Sequence, residues 1–353
     1  MMHAYPSDHP ALRLFEELLA VPAPSGREEA LAQLIVDRLD SWGYAPTVDG
    51  SGNVLVRLEG HRPDAPLSCL AAHIDEVGLV VTRIEPDGSL RIDRSGGLLP
   101  WKLGERPVQV LGDGAPVVGV VSFGAAHAAQ GERPIAWSDA RLLTGLTPAQ
   151  LAAAGVRPGA TAVPLCEGRG PTLFGDPADP LVAAWTFDDR MGAVALLRLL
   201  DELRHSRLQP HHPTIIAFTV HEECGGHGAR ALAHAQRLET FVGVDGCPVP
   251  PGAPLVLDGR PGIWSKDTVT HYDQRLLRAL CRAAEAAGTA LQPVVYEHAF
   301  SDAGQVYAAG AAARVACFGH VRESSHGYEV ARLSVFDNVL RTLVEFIRTW
   351  EGA

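Results

Sequence analysis

The chain has 353 residues, 46% of them hydrophobic and 20% charged, which is typical of a globular protein with one large domain and a smaller one. Its 30 Lys and Arg residues against 41 Asp and Glu residues give a net charge of -11. Nucleic acid and anionic membranes are therefore not expected as partners, because both require clustered Lys and Arg. No signal peptide and no membrane-spanning apolar run is visible, and the six Cys form no CxxC pair. We expect a cytoplasmic protein with free thiols.

The first 76 residues alternate between helical and strand patterns. Leucines at helical spacing predict a helix near 12–19. Ser25 followed by Glu28 has the spacing of a capping box and predicts that a second helix opens there. A strand is predicted over 53–58, and the apolar run 67–72, which ends at His73, predicts a buried strand.

The segment 77–180 has a different character. Short alternating strands near 79–84, 90–93, 108–111 and 117–123 are separated by turns rich in Gly, Pro and Asp. A brief helical pattern over 147–154 interrupts them. These features predict a small β-rich, barrel-like domain at 77–180, inserted into a catalytic domain formed by 1–76 and 181–353. His127 within the insert is interpreted as structural.

After Pro180, strands alternate with helices. Helices are predicted over 189–204, 229–236, 272–287 and 333–350, and strands over 214–220, 241–244, 293–296 and 314–318. This alternation predicts an α/β fold with a doubly wound, largely parallel sheet covered by helices on both faces. Ligands of such sheets bind at the carboxyl ends of the strands.

Candidate metal ligands follow five of these predicted strands or open helices. Singly, each has an ordinary explanation: a lone His is more often a satisfied polar residue, and an Asp pair before a helix is usually an N-cap. Together they are harder to explain, because unpaired carboxylates at buried strand ends are costly. The five segments are Ala72-His73-Ile74-Asp75, Phe187-Asp188-Asp189-Arg190, His221-Glu222-Glu223-Cys224-Gly225, Val244-Asp245-Gly246 and Ser324-Ser325-His326-Gly327.

The charge of this set favours a pair of divalent metal ions. Two such ions and a bridging hydroxide would balance the three carboxylates Asp188, Glu223 and Asp245, which would otherwise repel one another. Mixed His and carboxylate ligands suit zinc or cobalt, with manganese as a further candidate. The helical zinc motif is excluded, because His221 and His227 lie six residues apart rather than four. The chain also has no phosphate-binding loop with a Lys and no Gly-x-Ser-x-Gly nucleophile motif.

The order of these motifs resembles metallopeptidase family 42, which includes the glutamyl and tetrahedral aminopeptidases. The resemblance covers residues 12 to 348 and rests on Pro24-Ser25-Gly26-Arg27-Glu28, His73-Ile74-Asp75-Glu76-Val77-Gly78, Asp188-Asp189-Arg190-Met191-Gly192, Glu222-Glu223-Cys224-Gly225, Gly262-Ile263 and Ser301-Asp302-Ala303-Gly304. It implies a zinc-peptidase-like catalytic domain, a cis peptide bond after Asp188, and an insert that drives assembly of a homo-oligomer, either a dodecamer or a dimer.

The resemblance also implies a role for each site residue. His73 and Asp245 would hold one metal ion, Glu223 and His326 would hold the other, and Asp188 would bridge the two. Asp75 would fix the tautomer of His73. Glu222 would be the general base that takes a proton from the bridging water and passes it to the leaving amine. Asp302, near the site in the family, and Arg322 are candidate substrate residues.

The chain departs from the family around the substrate pocket, at residues 224–228, 246–248 and 322–327. Glu323 stands where the family has an Arg three residues before the last His, with Arg322 one position off, and Gly246-Cys247-Pro248 replaces the family's Thr-His region. Cys224 and Cys247 are interpreted as packing residues. The expected activity is that of an aminopeptidase acting on short peptides. A deacylase acting on an N-acylated amino acid or a peptide-like metabolite, and a non-catalytic peptide-binding scaffold, remain as alternatives.

Overall fold

A computed structural model describes residues 5–6, 8–125 and 134–352, so His127 lies outside the described residues. The helices are Pro10–Leu19 (α1), Glu29–Ser41 (α2), Pro100–Leu103 (α3), Pro148–Ala153 (α4), Phe187–Ser206 (α5), His227–Gln236 (α6), Gln274–Ala286 (α7), Asp302–Ala308 (α8) and Ser334–Thr349 (α9). The strands are Thr47–Val48 (β1), Val54–Leu58 (β2), Ser68–His73 (β3), Gly78–Ile84 (β4), Leu90–Ser95 (β5), Pro107–Leu111 (β6), Val117–Ser122 (β7), Arg141–Leu143 (β8), Thr161–Pro164 (β9), Thr172–Phe174 (β10), Leu181–Trp185 (β11), Thr214–Thr219 (β12), Leu238–Val244 (β13), Cys247–Pro248 (β14), Gly262–Lys266 (β15), Gln292–Val295 (β16), Ala312–Gly319 (β17), Val321–Glu323 (β18) and Tyr328–Arg332 (β19).

The main sheet is mixed, with a parallel centre. Within the described residues it has eight strands in the order β1-β2-β12-β3-β13-β17-β15-β16. The pairs β12·β3, β3·β13 and β13·β17 are parallel, whereas β2 and β15 pair antiparallel to β12 and β17. The predicted parallel sheet is thus confirmed for its centre, and the antiparallel pairs flank it. Every residue of β3 and β12 is buried, as expected of strands covered on both faces.

The helices cover the two faces of this sheet. Helix α5 packs on β3 and β13 with α1 and α9 against it, while α6 and α8 pack on each other and on β13. An aromatic cluster joins three helices on the first face: the Phe15 ring lies 4.7 Å from that of Phe187 and 5.7 Å from that of Phe336, centroid to centroid. Offset ring pairs at these distances add stability beyond the area that they bury.

A second sheet was not predicted from the sequence. Its strands run in the order β10-β11-β19-β18-β14 among the described residues. Strands β11 and β18 end three residues before Asp188 and His326, respectively, and β14 begins two residues after Asp245. This small sheet therefore delivers side chains to the same edge as the parallel strands.

The predicted β-rich segment contains a closed barrel in the order β4-β5-β8-β7-β6-β9. The barrel encloses an apolar core of its own, which includes Leu79, Val108, Val121 and Leu142, separate from the core around the main sheet. Strand β10 follows the barrel and pairs with β11 of the second sheet.

The predicted capping box at Ser25 is wrong. Helix α2 begins at Glu29, and its N-cap residue Glu28 makes no side-chain capping bond. The Glu28 Oε1 instead accepts hydrogen bonds from the Gly26 and His221 backbone N–H groups at 3.0 and 3.2 Å. The Ser25 hydroxyl donates to Asp75 Oδ2 at 2.6 Å. Both side chains serve loops at the carboxyl edge of the sheet, where buried polar groups need partners.

In the part of the chain that the structure describes, no helix combines the length and apolar character that crossing a bilayer requires. All six cysteines are described, and each is a free thiol.

Candidate two-metal site

The predicted site residues meet at one edge of the fold. His73 is the last residue of β3, Asp245 directly follows β13, and Glu222 and Glu223 lie in the turn after β12. The parallel register pairs Thr219 of β12 with His73, which brings that turn beside the imidazole. The cavity at this edge has a volume of about 970 Å³ and is lined by Asp188, Glu222, Glu223, Asp245, Arg322 and His326, among others.

Five side chains form two groups that could each hold a metal ion. The ligand atoms of His73, Asp188 and Asp245 lie within 4.8 Å of one another, and those of Asp188, Glu223 and His326 do so as well. The two Asp188 oxygens face different groups: Oδ1 lies 3.2 Å from His73 Nε2, and Oδ2 lies 3.6 Å from His326 Nε2. This is the placement that a bridging carboxylate requires.

The electrostatics of the site favour added positive charge. Burial, together with the neighbouring Asp188, raises the pKa of Asp245 to about 7. Burial lowers the pKa of His326, but Glu223 outweighs this effect and the pKa rises to about 10. Burial likewise lowers the pKa of His73, and its hydrogen bonds with Asp188 and Asp75 raise it well above the usual value. The Asp245 carboxylate and the two imidazoles therefore favour their protonated forms, and metal cations compete with protons for the same lone pairs.

The residues present fit a pair of divalent cations. Two imidazoles and three carboxylates form a donor set of the kind that zinc, cobalt and manganese take in proteins. In addition, Glu223 Oε1 is a buried oxygen with no hydrogen-bond partner among the described residues. A buried carboxylate oxygen without a partner is costly, and an additional ligand would satisfy it.

Asp75 lies behind His73 and connects it to the turn after β12. The His73 Nδ1 atom lies 3.2 Å from the Asp75 carbonyl oxygen and 3.4 Å from its Oδ1, so the backbone contributes to orienting the ring. The Asp75 carboxylate also accepts the backbone N–H groups of Glu222 and Glu223 at 3.0 and 3.1 Å. One buried carboxylate therefore positions two neighbouring segments of the site.

Glu222 lies beside both groups and belongs to neither. Its Oε2 is 3.9 Å from His73 Nε2, and its Oε1 has no hydrogen-bond partner among the described residues. The side chain is buried but lines the cavity. Burial raises the pKa of the Glu222 carboxyl well above its usual value. A carboxylate that lines a cavity and has a raised pKa is suited to accept a proton.

Arg322 borders the cavity but is held by the protein itself. Its Nη2 donates to Asp188 Oδ2 at 2.6 Å, and its Nη1 donates to Glu329 Oε1 at 2.9 Å. The guanidinium passes over Gly246, where a Cβ atom would lie only 2.3 Å from its Nε. This arrangement was not predicted from the sequence, because Arg322 and Asp188 are distant from each other in the chain.

Asp302 lies beneath the site, outside the set of residues that line the cavity. Its Oδ2 accepts the Thr219 hydroxyl at 2.6 Å. Burial raises the pKa of Asp302 to about 6. The two cysteines near the site also differ in exposure: Cys247 is buried and Cys224 exposed, and neither belongs to a ligand group.

The expected cis peptide bond is present between Asp188 and Asp189. A parallel α/β core with a cluster of candidate His and carboxylate ligands at the carboxyl ends of its strands is typical of metal-dependent hydrolases. The chain belongs to the M42 glutamyl aminopeptidase family, whose sequence profile matches residues 52–341. Membership of this family confirms the prediction of a metal-dependent aminopeptidase, which is a hydrolase of peptide bonds. The deacylase alternative is not favoured.

Individual relatives agree with this membership. The glutamyl aminopeptidase of Lactococcus lactis subsp. cremoris (strain MG1363) is 28% identical over 258 residues, 67% of each chain. SgcX of Escherichia coli (strain K12) is 30% identical over 232 residues, which are 65% of this chain and 60% of the length of SgcX. The TET1 peptidase of Pyrococcus horikoshii is 23% identical, with a TM-score of 0.84 over 96% of this chain and all of its own. That likeness shows the fold.

Proposed function

We propose that this protein removes N-terminal residues from short peptides with two metal ions held by His73, Asp188, Glu223, Asp245 and His326. One observation carries the proposal: the two oxygens of Asp188 face two separate ligand groups, with Glu222 free beside them. When bound, two such cations would lower the pKa of a water molecule and polarise the scissile carbonyl. Zinc and cobalt are the proposed metals, with manganese as a further candidate.

The chain's own residues supply the proton transfer. We propose that the Glu222 carboxylate accepts a proton from the attacking water and later donates it to the leaving amine. Asp75 keeps Nδ1 of His73 engaged, so that Nε2 points into the site. Arg322 donates to Asp188 Oδ2, the oxygen that also faces His326, and its hydrogen bonds to Asp188 and Glu329 support a positioning role rather than substrate contact.

The size of the cavity supports a substrate of a few residues. At about 970 Å³ it lies at the upper end of the range of about 300–1,000 Å³ that is usual for ligand pockets. Much of its wall is apolar or aromatic, including Leu99, Val249, Trp264, Tyr296 and Phe300. We infer that the substrate places apolar side chains against this wall and its free amine near the carboxylates.

We also propose a homo-oligomer, with the segment 77–180 as an inserted module for assembly. The P. horikoshii relative assembles into a tetrahedron or a large octahedral shell, according to its description. On the barrel, Val118 and Val120 of β7 and Leu143 of β8 are exposed, and Val120 pairs with Leu143. Exposed apolar neighbours on a sheet are common at protein interfaces. Light scattering would distinguish a dodecamer from a dimer.

The free thiols agree with the proposed cytoplasmic location.

Release of amino acids from a panel of dipeptides and tripeptides tests the proposed activity. The panel is measured with and without added zinc, cobalt or manganese, and half of it carries acetylated N-termini. Metal-dependent cleavage of only the free-amine peptides is expected. Cleavage of only the acetylated peptides would instead establish a deacylase, and cleavage of neither would indicate a non-catalytic peptide-binding protein.

A further inference from the structure

His326 reaches the cavity through a loop of unusual backbone conformation. The loop follows β18, and both Ser324 (φ 70°) and His326 (φ 53°) adopt left-handed conformations. Residues with a Cβ atom rarely take such conformations unless neighbouring contacts hold them there. The loop therefore needs support from outside its own backbone.

The support comes from Lys102 in the inserted segment. The Nζ of Lys102 donates to the Ser325 carbonyl oxygen, and also to the Ser324 hydroxyl at 3.2 Å. Its aliphatic chain lies along the loop, because a Cβ atom at Gly327 would stand 3.4 Å from Lys102 Cβ. Among the described residues, no carboxylate is close enough to form an ion pair with Nζ. Apart from the adjacent Trp101 ring, whose centroid lies 5.4 Å from Nζ, the ammonium interacts with the loop.

The same segment also contacts the imidazole. A Cβ atom at Gly97 would lie 2.4 Å from His326 Nδ1, so only a glycine leaves room for the ring in its present position. The inserted segment thus contacts the His326 ring through Gly97 and the loop 324–327 through Lys102. His73, in contrast, is held by the main sheet and by Asp75.

We propose that Lys102 is a positioning residue that keeps His326 at the second metal site by fixing residues 324–327. This inference rests on the proposed function, in which His326 is a metal ligand. It predicts that loss of the ammonium weakens the cation bound by Glu223 and His326 and spares the one bound by His73 and Asp245. Loss of a group that orients a metal ligand typically lowers metal affinity by about ten- to a hundredfold.

Metal binding to the Lys102→Met variant tests the proposal, because Met keeps an unbranched side chain and removes the donor. Protein freed of metal with a chelator is titrated with Zn²⁺, and with Co²⁺ whose absorption spectrum reports coordination. Lys266→Met is the matched control. Lys266 is the only other lysine in the chain, and its Nζ also donates to a backbone carbonyl, that of Asp267, at 2.8 Å. We expect one of two cations to bind about ten- to a hundredfold more weakly in Lys102→Met and both to bind normally in the control.

Two further variants separate positioning from a general loss of structure. Adding Ser324→Gly to Lys102→Met should recover part of the affinity, because glycine adopts the left-handed conformation at little cost. Ser324→Ala alone, which removes one acceptor of Lys102, should weaken the same cation by a smaller factor and remains informative if Lys102→Met does not fold.

The outcomes distinguish this inference from the proposed function. If the unchanged protein binds two cations and both Lys102→Met and Ser324→Ala bind them equally well, the positioning role is refuted and the proposed function stands. A higher KM for peptides with unchanged metal affinity would also refute it and would make Lys102 a substrate contact. If the unchanged protein binds neither cation, both the proposed function and this inference fail.

Discussion

Replacing Glu222 by Gln should separate the chemical step from metal binding. The carboxylate lies outside both ligand groups, and its Oε1 has no hydrogen-bond partner in the described part of the chain, so the isosteric amide disturbs no contact of that atom. Loss of a general base typically lowers the rate about 10²- to 10⁴-fold. We therefore expect kcat to fall by that factor while the metal content stays unchanged.

The neighbouring Glu223→Gln variant is the matched control. Glu223 Oε2 lies 3.2 Å from His326 Nε2 and belongs to the second ligand group. This variant should lose both activity and one of the two cations. Activity is measured with a free-amine dipeptide, and metal content by elemental analysis of the same preparation. Full activity of Glu222→Gln, or loss of metal in that variant, would refute the assignment of Glu222 as the base.

Three further predictions concern the supports of the site and of the fold. Gly246→Ala places a Cβ atom 2.3 Å from Arg322 Nε and should displace the guanidinium from Asp188. Breaking such a buried ion pair lowers the free energy of unfolding by about 3–5 kcal/mol. Urea unfolding would measure this loss. An unfolding free energy unchanged by this variant would contradict the close approach. Ser25→Ala removes the 2.6 Å hydrogen bond to Asp75, and a hydrogen bond to a charged group contributes about 1.5–3 kcal/mol. The variant should therefore have a lower thermal stability and a lower kcat/KM. Unchanged stability and activity would show that this hydrogen bond is not required to position Asp75. The hydrogen bond with His9, and after it the interaction with Arg198, lowers the pKa of Asp337 from 3.8 to about 2. The ionised carboxylate therefore contributes its full stabilisation of the folded protein above pH 4. This contribution is lost as the pH falls through 2. Because the Arg198–Asp337 pair is partly exposed, Asp337→Asn should lower the free energy of unfolding by no more than about 1 kcal/mol at pH 7. The difference in unfolding free energy between this variant and the unchanged protein should become smaller between pH 4 and pH 2. A difference that does not depend on pH would exclude the ion pair as its cause.

The core of the fold could be predicted because its signals are local. The apolar runs 67–72 and 241–244 mark buried strands, and each is followed directly by a predicted ligand, His73 and Asp245, respectively. The second sheet escaped prediction in part because three of its described strands are short: β10 and β18 have three residues each and β14 has two, too few for an alternating pattern to emerge. The apparent capping box failed for a related reason. Its spacing is a local signal, whereas Ser25 and Glu28 bond to Asp75 and His221, which are distant in the sequence.

The supports of the site could not be predicted because they depend on contacts between distant segments. Arg322 can occupy its position only because residue 246 is a glycine, which has no Cβ atom to collide with the guanidinium. The His326 loop is bonded by Lys102, which is 222 residues away from Ser324 in the chain. The first ligand group therefore relies mainly on the parallel sheet, whose register is set by buried apolar strands. The second relies on a short loop and on a lysine from the inserted segment. Any movement of that segment relative to the sheet would consequently act on the candidate ligand group that contains Glu223 and His326 before it acted on the one that contains His73 and Asp245.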